Sequence, residues 1–310
     1  MGTAFLFPGQ GSQYPGMLHD LPEHSIIEKT VQEASDVLKQ DVLLLDTSEQ
    51  LKSTVAVQIC LLVSGVSIVR LLQEESAHPD MAAGHSVGAF GAAVTANVLS
   101  FQDALALVKR RGELMEQAYP KGYGMGVVLG MQEKQLSNIL CQIHTPENPV
   151  YIANLNSSSQ MTIAGELSAL KKVFEAVKEV GARKVHMLNV SVPSHCPLLK
   201  SVSGELSKIL DEVSLKHPDI PYAGNRTARP LRTKEAIKED LASSVSHPVR
   251  WHEATTVLFE LGARLYVEMI PGRVLTNLAK EAFPEARAVS VSDSGWKTAS
   301  ILIKRHKELS

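Results

Sequence analysis

Residues 81–95 run from a short apolar triplet, Met81-Ala82-Ala83, through Gly84-His85-Ser86-Val87-Gly88 into a small-residue stretch with Ala89, Gly91, Ala92 and Ala93. A strand can turn straight into a helix only where side chains do not block the corner, and the two glycines leave that space. Such a turn projects the serine hydroxyl from the end of a sheet. The preceding residues keep the same alternation: Thr3–Phe7 is strand-like, stops at Pro8-Gly9-Gln10-Gly11-Ser12, and is followed by helical periodicity over residues 25–39 and 54–73. Strands alternating with helices imply an α/β fold, a mainly parallel sheet covered by helices on both faces.

The middle of the chain is patterned differently. Gly124–Gly130 reads as a strand and Gln132–Ile143 as a helix, while Val150–Asn154 and Gln160–Ala164 read as strands separated by the turn Asn156–Ser159. Glu166–Val180 reads as a helix stopped by Gly181, and Lys184–Ser191 as a strand with alternating faces. The order β-α-β-β-α-β is that of a ferredoxin-like unit. The expected organisation is a core made of residues 1–122 and 193–310, with residues 123–192 inserted as a small subdomain. After the insertion, Pro197 opens a helix with an apolar stripe of Leu198, Leu199, Val202, Leu206 and Ile209. Arg264–Met269 is a strand, Pro271-Gly272 a turn and Val274–Phe283 a helix; the last thirty residues carry no chemical signal.

At 310 residues the chain just exceeds the size at which one core stops growing, which suits a core with an insertion. Lysine plus arginine number 31 against 33 acids, a net charge of −2, so no positive excess exists to hold a phosphate backbone. Cys60, Cys141 and Cys196 are widely spaced with no CxxC pair, which argues against a disulfide framework or structural zinc and fits a reducing compartment. The N-terminal residues lack a basic n-region, Pro8 cuts their apolar run, and Leu6 stands where a myristoylation signal wants Ser or Thr. The longest apolar stretch, Val55–Val69, contains Gln58, Ser64 and Ser67 and is expected to be a buried core helix rather than a membrane span. A soluble cytoplasmic protein is the expectation.

Gly84-His85-Ser86-Val87-Gly88 satisfies G-x-S-x-G, in which the serine is a nucleophile and the next N–H helps to bind an oxyanion, against the plainer reading of an ordinary strand-to-helix turn. A second oxyanion donor has to come from another strand end, and Phe7–Gln13 is the candidate; its rival reading is a plain loop. Dinucleotide binding fails on spacing, because Tyr14 stands where the third glycine belongs. Serine needs a base, and His195 has the best context, on a loop bracketed by Pro193 and Pro197 that limit its backbone; the plainer reading of any one loop histidine is a solvent-exposed side chain. His85 adjoins the serine but should point elsewhere, and no histidine pair shows metal-ligand spacing. On the helix Phe101–Met115, Arg111 falls within the stripe of Phe101, Ala104, Val108 and Met115, while Lys109 and Arg110 point away. A guanidinium on a core-facing stripe needs an anion, either an internal Asp or Glu or the carboxylate of a bound molecule.

Seven segments in order are similar to the malonyl-CoA:acyl-carrier-protein transacylase family: Phe7–Gln13, Gly84–Gly88, Arg111–Met115, Asn154–Gly165, Val192–Cys196, Pro248–Trp251 and Pro271–Leu275. The resemblance spans nearly the whole chain. It implies an α/β-hydrolase-like core with a ferredoxin-like insertion, Ser86 as nucleophile, His195 as its base, Arg111 as ligand of the malonyl carboxylate, and Gln10 and Val87 as sources of oxyanion-hole N–H groups. Malonyl would pass from malonyl-CoA to the prosthetic-group thiol of an acyl carrier protein, with no metal or redox cofactor. The chain departs from the family at Val87-Gly-Ala-Phe90, where Leu-Gly-Glu-Tyr is frequent, at Ile270 in the usual Gly-Pro-Gly, and at Ser244, where glutamine is common. That glutamine is associated with a main-chain carbonyl that orients the histidine, a role a serine can fill. Ser53–Gln58, Val87–Phe90 and Gly224–Arg229 resemble instead the transacylase (epsilon) subunit of malonate decarboxylase, whose carrier bears phosphoribosyl-dephospho-CoA. Arg226, Arg229 and Arg232 are then candidates for its extra phosphate, against the plainer reading of a solvated face. The fatty-acid-synthesis transacylase is the alternative within the family. A serine hydrolase, or a carrier-binding module without catalysis, are the readings from other classes.

Overall fold

The structure, a computed structural model, describes residues 1–119, 121–190 and 192–308. β1 (Gly2–Phe7) leads through α1 (Ser25–Leu38) and α2 (Thr54–Glu74) to β2 (Met81–Gly84), α3 (Gly88–Thr95) and α4 (Phe101–Ala118). β3 (Tyr123–Leu129), α5 (Glu133–Ile143), β4 (Val150–Ser157), β5 (Gln160–Glu166), α6 (Leu167–Glu179) and β6 (Lys184–Met187) follow. Then come α7 (Lys200–Asp211), β7 (Tyr222–Ala223), β8 (Pro230–Leu231), α8 (Lys234–Ser243) and α9 (Trp251–Glu260). The chain closes with β9 (Ala263–Glu268), α10 (Val274–Ala282), β10 (Arg287–Ser290), α11 (Val291–Ser294) and α12 (Trp296–Glu308).

Six strands form one sheet in the order β10-β9-β1-β2-β7-β8, parallel throughout except for the β7–β8 pair. β1 is central, and its period of two divides its side chains between two cores. Phe5 and Phe7 pack with α2 and α3 on one face, whereas Ala4 and Leu6 pack with Trp251, Leu258 and Leu275 on the other. A crevice for ligands belongs at the carboxyl ends of such strands. There Phe7 pairs with Gly84, so the Pro8–Gln13 loop and the Gly84–Gly88 turn leave the sheet side by side.

Helix α2 is 21 residues long and apolar enough by length and composition to cross a membrane, longer than the Val55–Val69 run. Of those, 17 residues are buried against the sheet and neighbouring helices, which makes it a core helix. Each fully buried Val, Leu or Ile there stabilises the fold by roughly 1.5–3 kcal/mol. Ser53 caps it, accepting from the Ala56 N–H, and donates its own hydroxyl to Glu116 on α4. α4 buries Phe101, Ala104, Val108, Arg111 and Met115 along one side, the stripe expected from its periodicity.

A second sheet, ordered β4-β5-β3-β6, is antiparallel at every pairing. One face of β3 sends Val128 under α5 and α6, while Met125 on the other packs with Ala153, Ala164 and Cys196. Val249 bridges the two sheets. Its N–H donates to Ala153 O at 2.9 Å and its carbonyl accepts from Leu155 N–H at 2.8 Å.

Three local expectations change. β4 runs through Ser157, and the hairpin turn is only Ser158-Ser159, because irregular register at Ile152–Asn154 and Leu155–Ser157 absorbs the extra residues. The last inserted strand ends at Met187 and is largely exposed rather than alternating. It is an edge strand with no partner beyond it among the described residues, and Leu188 and Val190 turn inward instead; Ser191 lies outside the described residues. After Pro197 a 3₁₀ turn precedes α7, which shifts the helical phase so that Leu199, Val202, Leu206 and Leu210 are buried in place of Leu198 and Ile209.

Candidate active site

Gly84 and Gly88 make the corner possible. A Cβ on Gly84 would lie 2.0 Å from the carbonyl carbon of Gly88, and one on Gly88 would lie 2.3 Å from Phe7 O. The turn leaves Ser86 with φ 56°, in the left-handed region, and its hydroxyl faces the cleft between the two sheets. His195 lies on the opposite wall and also has positive φ, 63°. Its N–H donates to Val245 O at 2.7 Å, and Cys196 Sγ donates back to Pro193 O at 3.2 Å, which holds the proline-bracketed loop.

The ring of His195 bridges Ser86 and the backbone of Ser244. Nδ1 lies 2.7 Å from Ser244 O and Nε2 lies 2.7 Å from Ser86 Oγ. A carbonyl oxygen can only accept, so Nδ1 carries the proton and Nε2 presents its lone pair to the serine hydroxyl. The main-chain carbonyl of Ser244 thus fills the orienting position that the family associates with glutamine. Burial, and next the positive charge of Arg111, lower the His195 pKa to about 3, so the ring is a neutral base at pH 7.

Arg111 is 1% exposed. It donates Nη2–H to Ser86 Oγ at 3.2 Å, its Nε has no partner, and among the described residues no carboxylate pairs with it. Burial lowers its pKa to about 10, which still leaves it cationic at neutral pH. The internal Asp or Glu that periodicity left open is therefore not there. Gln10 and Val87 border the same cavity of about 60 Å³. Their N–H groups find no acceptor among the described residues, so two donors are free beside the serine.

His85 points away from the serine hydroxyl. Its ring is partly buried, edge-on to Trp251, with Nε2 3.0 Å from Asn156 Oδ1, and desolvation lowers its pKa. Cys196 does not compete with Ser86, because burial pushes its thiol up to about 12. It heads the 3₁₀ turn without capping it. Arg226, Arg229 and Arg232 line neither the cavity nor the adjoining groove; Arg226 pairs with Glu239 at 2.7 Å, and the other two are exposed.

Sequence reading overlooked two asparagines. Asn154 joins the cavity to a groove of about 320 Å³ that also runs past Gly9, Gln10 and Leu188, and Asn154 Oδ1 is buried without a partner. Asn225 accepts the Ser86 N–H at 2.9 Å. An asparagine has no periodic signature, and the sequence separation of 139 from Ser86 to Asn225 places that contact beyond any local motif.

Comparison with known proteins gives the family of the chain. The acyl transferase domain family matches residues 4–308. A malonyl CoA-acyl carrier protein transacylase of Bacillus subtilis is 35% identical over 310 residues, covering 98% of this chain and 97% of the relative. A solved malonyl-transacylase bound to its holo type II polyketide acyl-carrier protein superposes with a TM-score of 0.91 at 36% identity, covering 97% and 98% of the two chains. The transacylase of Acinetobacter baumannii superposes at 0.93 and 34% identity, covering 98% and 99%. At such identity and coverage, the chain belongs to the malonyl-CoA:acyl-carrier-protein transacylase family.

Proposed function

We propose that this chain moves a malonyl group from malonyl-CoA, through an ester on Ser86, to the prosthetic-group thiol of an acyl carrier protein. The observation that carries the reading is Arg111, a buried cation with no protein anion, within hydrogen-bond distance of a serine whose proton faces a neutral imidazole. A malonyl carboxylate supplies the missing anion, and a bidentate pair would place the thioester carbonyl over Ser86. His195 Nε2 takes the hydroxyl proton as Oγ attacks, and the N–H groups of Gln10 and Val87 receive the developing oxyanion. His195 then protonates the departing CoA sulfur. In the second half the carrier thiol gives its proton to His195 and attacks the ester, which restores Ser86. The groove beside the cavity suits the thiol-bearing arm of either substrate.

The parallel sheet with Ser86 at its turn supports reading the core, residues 1–122 and 193–310, as α/β-hydrolase-like. The order β4-β5-β3-β6 supports a ferredoxin-like subdomain over residues 123–192. Three free cysteines, two of them buried, fit a cytoplasmic setting. Incubation with malonyl-CoA followed by intact-mass measurement tests the chemistry. A malonyl adduct that a holo carrier discharges is expected; steady CoA release without an acceptor would make the chain a hydrolase, and neither would make it a binding module.

For the acceptor we infer the carrier subunit of malonate decarboxylase, on the strength of Ser53–Gln58, Val87–Phe90 and Gly224–Arg229. Competition between the two holo carriers for the malonyl-enzyme tests this. The decarboxylase carrier is expected to be malonylated faster, and a preference for the fatty-acid carrier would assign the chain to fatty-acid synthesis with the same chemistry at Ser86.

A further inference from the structure

The left-handed backbone at Ser86 costs energy for a residue with a Cβ and persists only where its surroundings hold it. On one side His85 N–H donates to Phe7 O at 2.9 Å. On the other stands a single side-chain amide. Asn225 Oδ1 accepts the Ser86 N–H at 2.9 Å, and Asn225 Nδ2 donates to Gly84 O, also at 2.9 Å. The amide therefore brackets His85 and clasps both peptide groups of the corner.

Asn225 is itself held at both backbone atoms. Its N–H donates to Asp240 Oδ2 at 3.1 Å, and its carbonyl accepts from Arg250 N–H at 2.8 Å. Asp240 Oδ2 also accepts from the Tyr222 hydroxyl at 2.9 Å, and Oδ1 accepts from Arg226 N–H at 3.0 Å. Tyr222, Asn225 and Asp240 are all buried, and no cation pairs with Asp240 among the described residues. A buried carboxylate with three donors and no counter-ion is an anchor for the atoms around it. The segment Gly224–Arg229, conspicuous in sequence for its arginines, meets the site through its asparagine instead.

We propose that Asn225 is a positioning residue for the acyl transfer: its amide holds the Gly84–Ser86 corner so that Ser86 Oγ faces His195 Nε2, and Asp240 with Tyr222 fixes the amide. Because Asn225 occupies the Ser86 N–H, the oxyanion is left to Val87 and Gln10. The proposal rests on Ser86 being the acylated residue, and Ser86→Ala, assayed in parallel, reports on that separately.

The experiment follows acylation of the full chain by malonyl-CoA under rapid mixing, read by intact mass, together with steady-state kcat and KM. Asn225→Ala is expected to slow acylation about 10- to 100-fold, because small displacements of reacting atoms cost that much, with KM for malonyl-CoA within about twofold of the parent. Asn225→Asp keeps the acceptor for Ser86 N–H but sets an anion against Gly84 O. It should also be slow near neutral pH and recover towards the parent as the carboxyl takes up a proton and regains a donor, a response that loss of packing would not give. Acylation by folded Asn225→Ala within about threefold of the parent, or a loss confined to KM, overturns the proposal. Should Asn225→Ala fail to fold, Tyr222→Phe decides: it removes one donor to Asp240 and is expected to slow acylation several-fold, and an unchanged rate overturns the proposal.

Discussion

Replacing Ser86 by alanine is expected to abolish the malonyl adduct, and replacing His195 by alanine to slow its formation about 10²–10⁴-fold, the range typical of general acid–base help. The two effects differ for a geometric reason. Without Ser86 its two neighbouring candidates are not placed to attack: His85 is turned towards Asn156, and Cys196 is buried with its thiol pointed at Pro193 O. Without His195 the hydroxyl survives, still contacted by Arg111 and still flanked by the free N–H groups of Gln10 and Val87. Residual acylation of the His195 variant is therefore expected, and normal acylation of Ser86→Ala would end this reading.

The pH dependence follows from the same ring. His195 has its pKa lowered from 6.5 to about 3, first by burial and next by Arg111, so the base of the free enzyme stays neutral far into acid. The acid limb of kcat/KM should thus lie well below 6.5. Binding a malonyl carboxylate on Arg111 cancels part of the field that depresses the imidazole, so the limb of kcat, which reports the complex, should lie higher. Stability moves in the matching sense. Between about 3 and 6.5 the unfolded chain binds the proton that folded His195 refuses, so this group's contribution is complete above 6.5 and declines as pH falls through that window. A kcat/KM limb at or above 6.5 would show that the titrating base is not this buried ring.

Local chemistry determined what could be read from the sequence. Short apolar runs, one stopped by Pro8-Gly9 and one by Gly84, marked β1, β2 and the Ser86 turn, because glycine leaves room for a tight corner. Arg111 stood out because a charge broke an apolar period, and periodicity is a property of one helix. What lay hidden depends on distant chain. β6 ends early because it is an edge, a fact fixed by the order of four strands rather than by its own residues. Ser244 acts through a backbone carbonyl that any residue carries, so the family resemblance pointed to it while its own side chain gave no signal. The arginines of 226–232 were conspicuous as a cluster, yet Arg226 is satisfied by Glu239, and neither charge nor clustering could reveal that.

Arg111→Ala is expected to collapse the preference for malonyl-CoA over acetyl-CoA at least about tenfold, since a hydrogen bond to a charged group is typically worth roughly 1.5–3 kcal/mol. The malonyl reaction should lose most of its kcat/KM. The acetyl reaction should be kept or gain, because acetyl-CoA brings no anion to compensate a guanidinium buried beside the nucleophile. Stability separates this from a structural role: removing one member of a buried ion pair strands its partner and is strongly destabilising, whereas Arg111 has no carboxylate partner among the described residues to strand. The variant should therefore melt close to the parent or above it. Its kcat/KM acid limb should also move up, because the cation that helps to depress His195 has gone. A parallel fall in both substrates together with a lowered melting temperature would instead make Arg111 a support for the cavity wall, and would take from the site its reason for choosing a carboxylated acyl group.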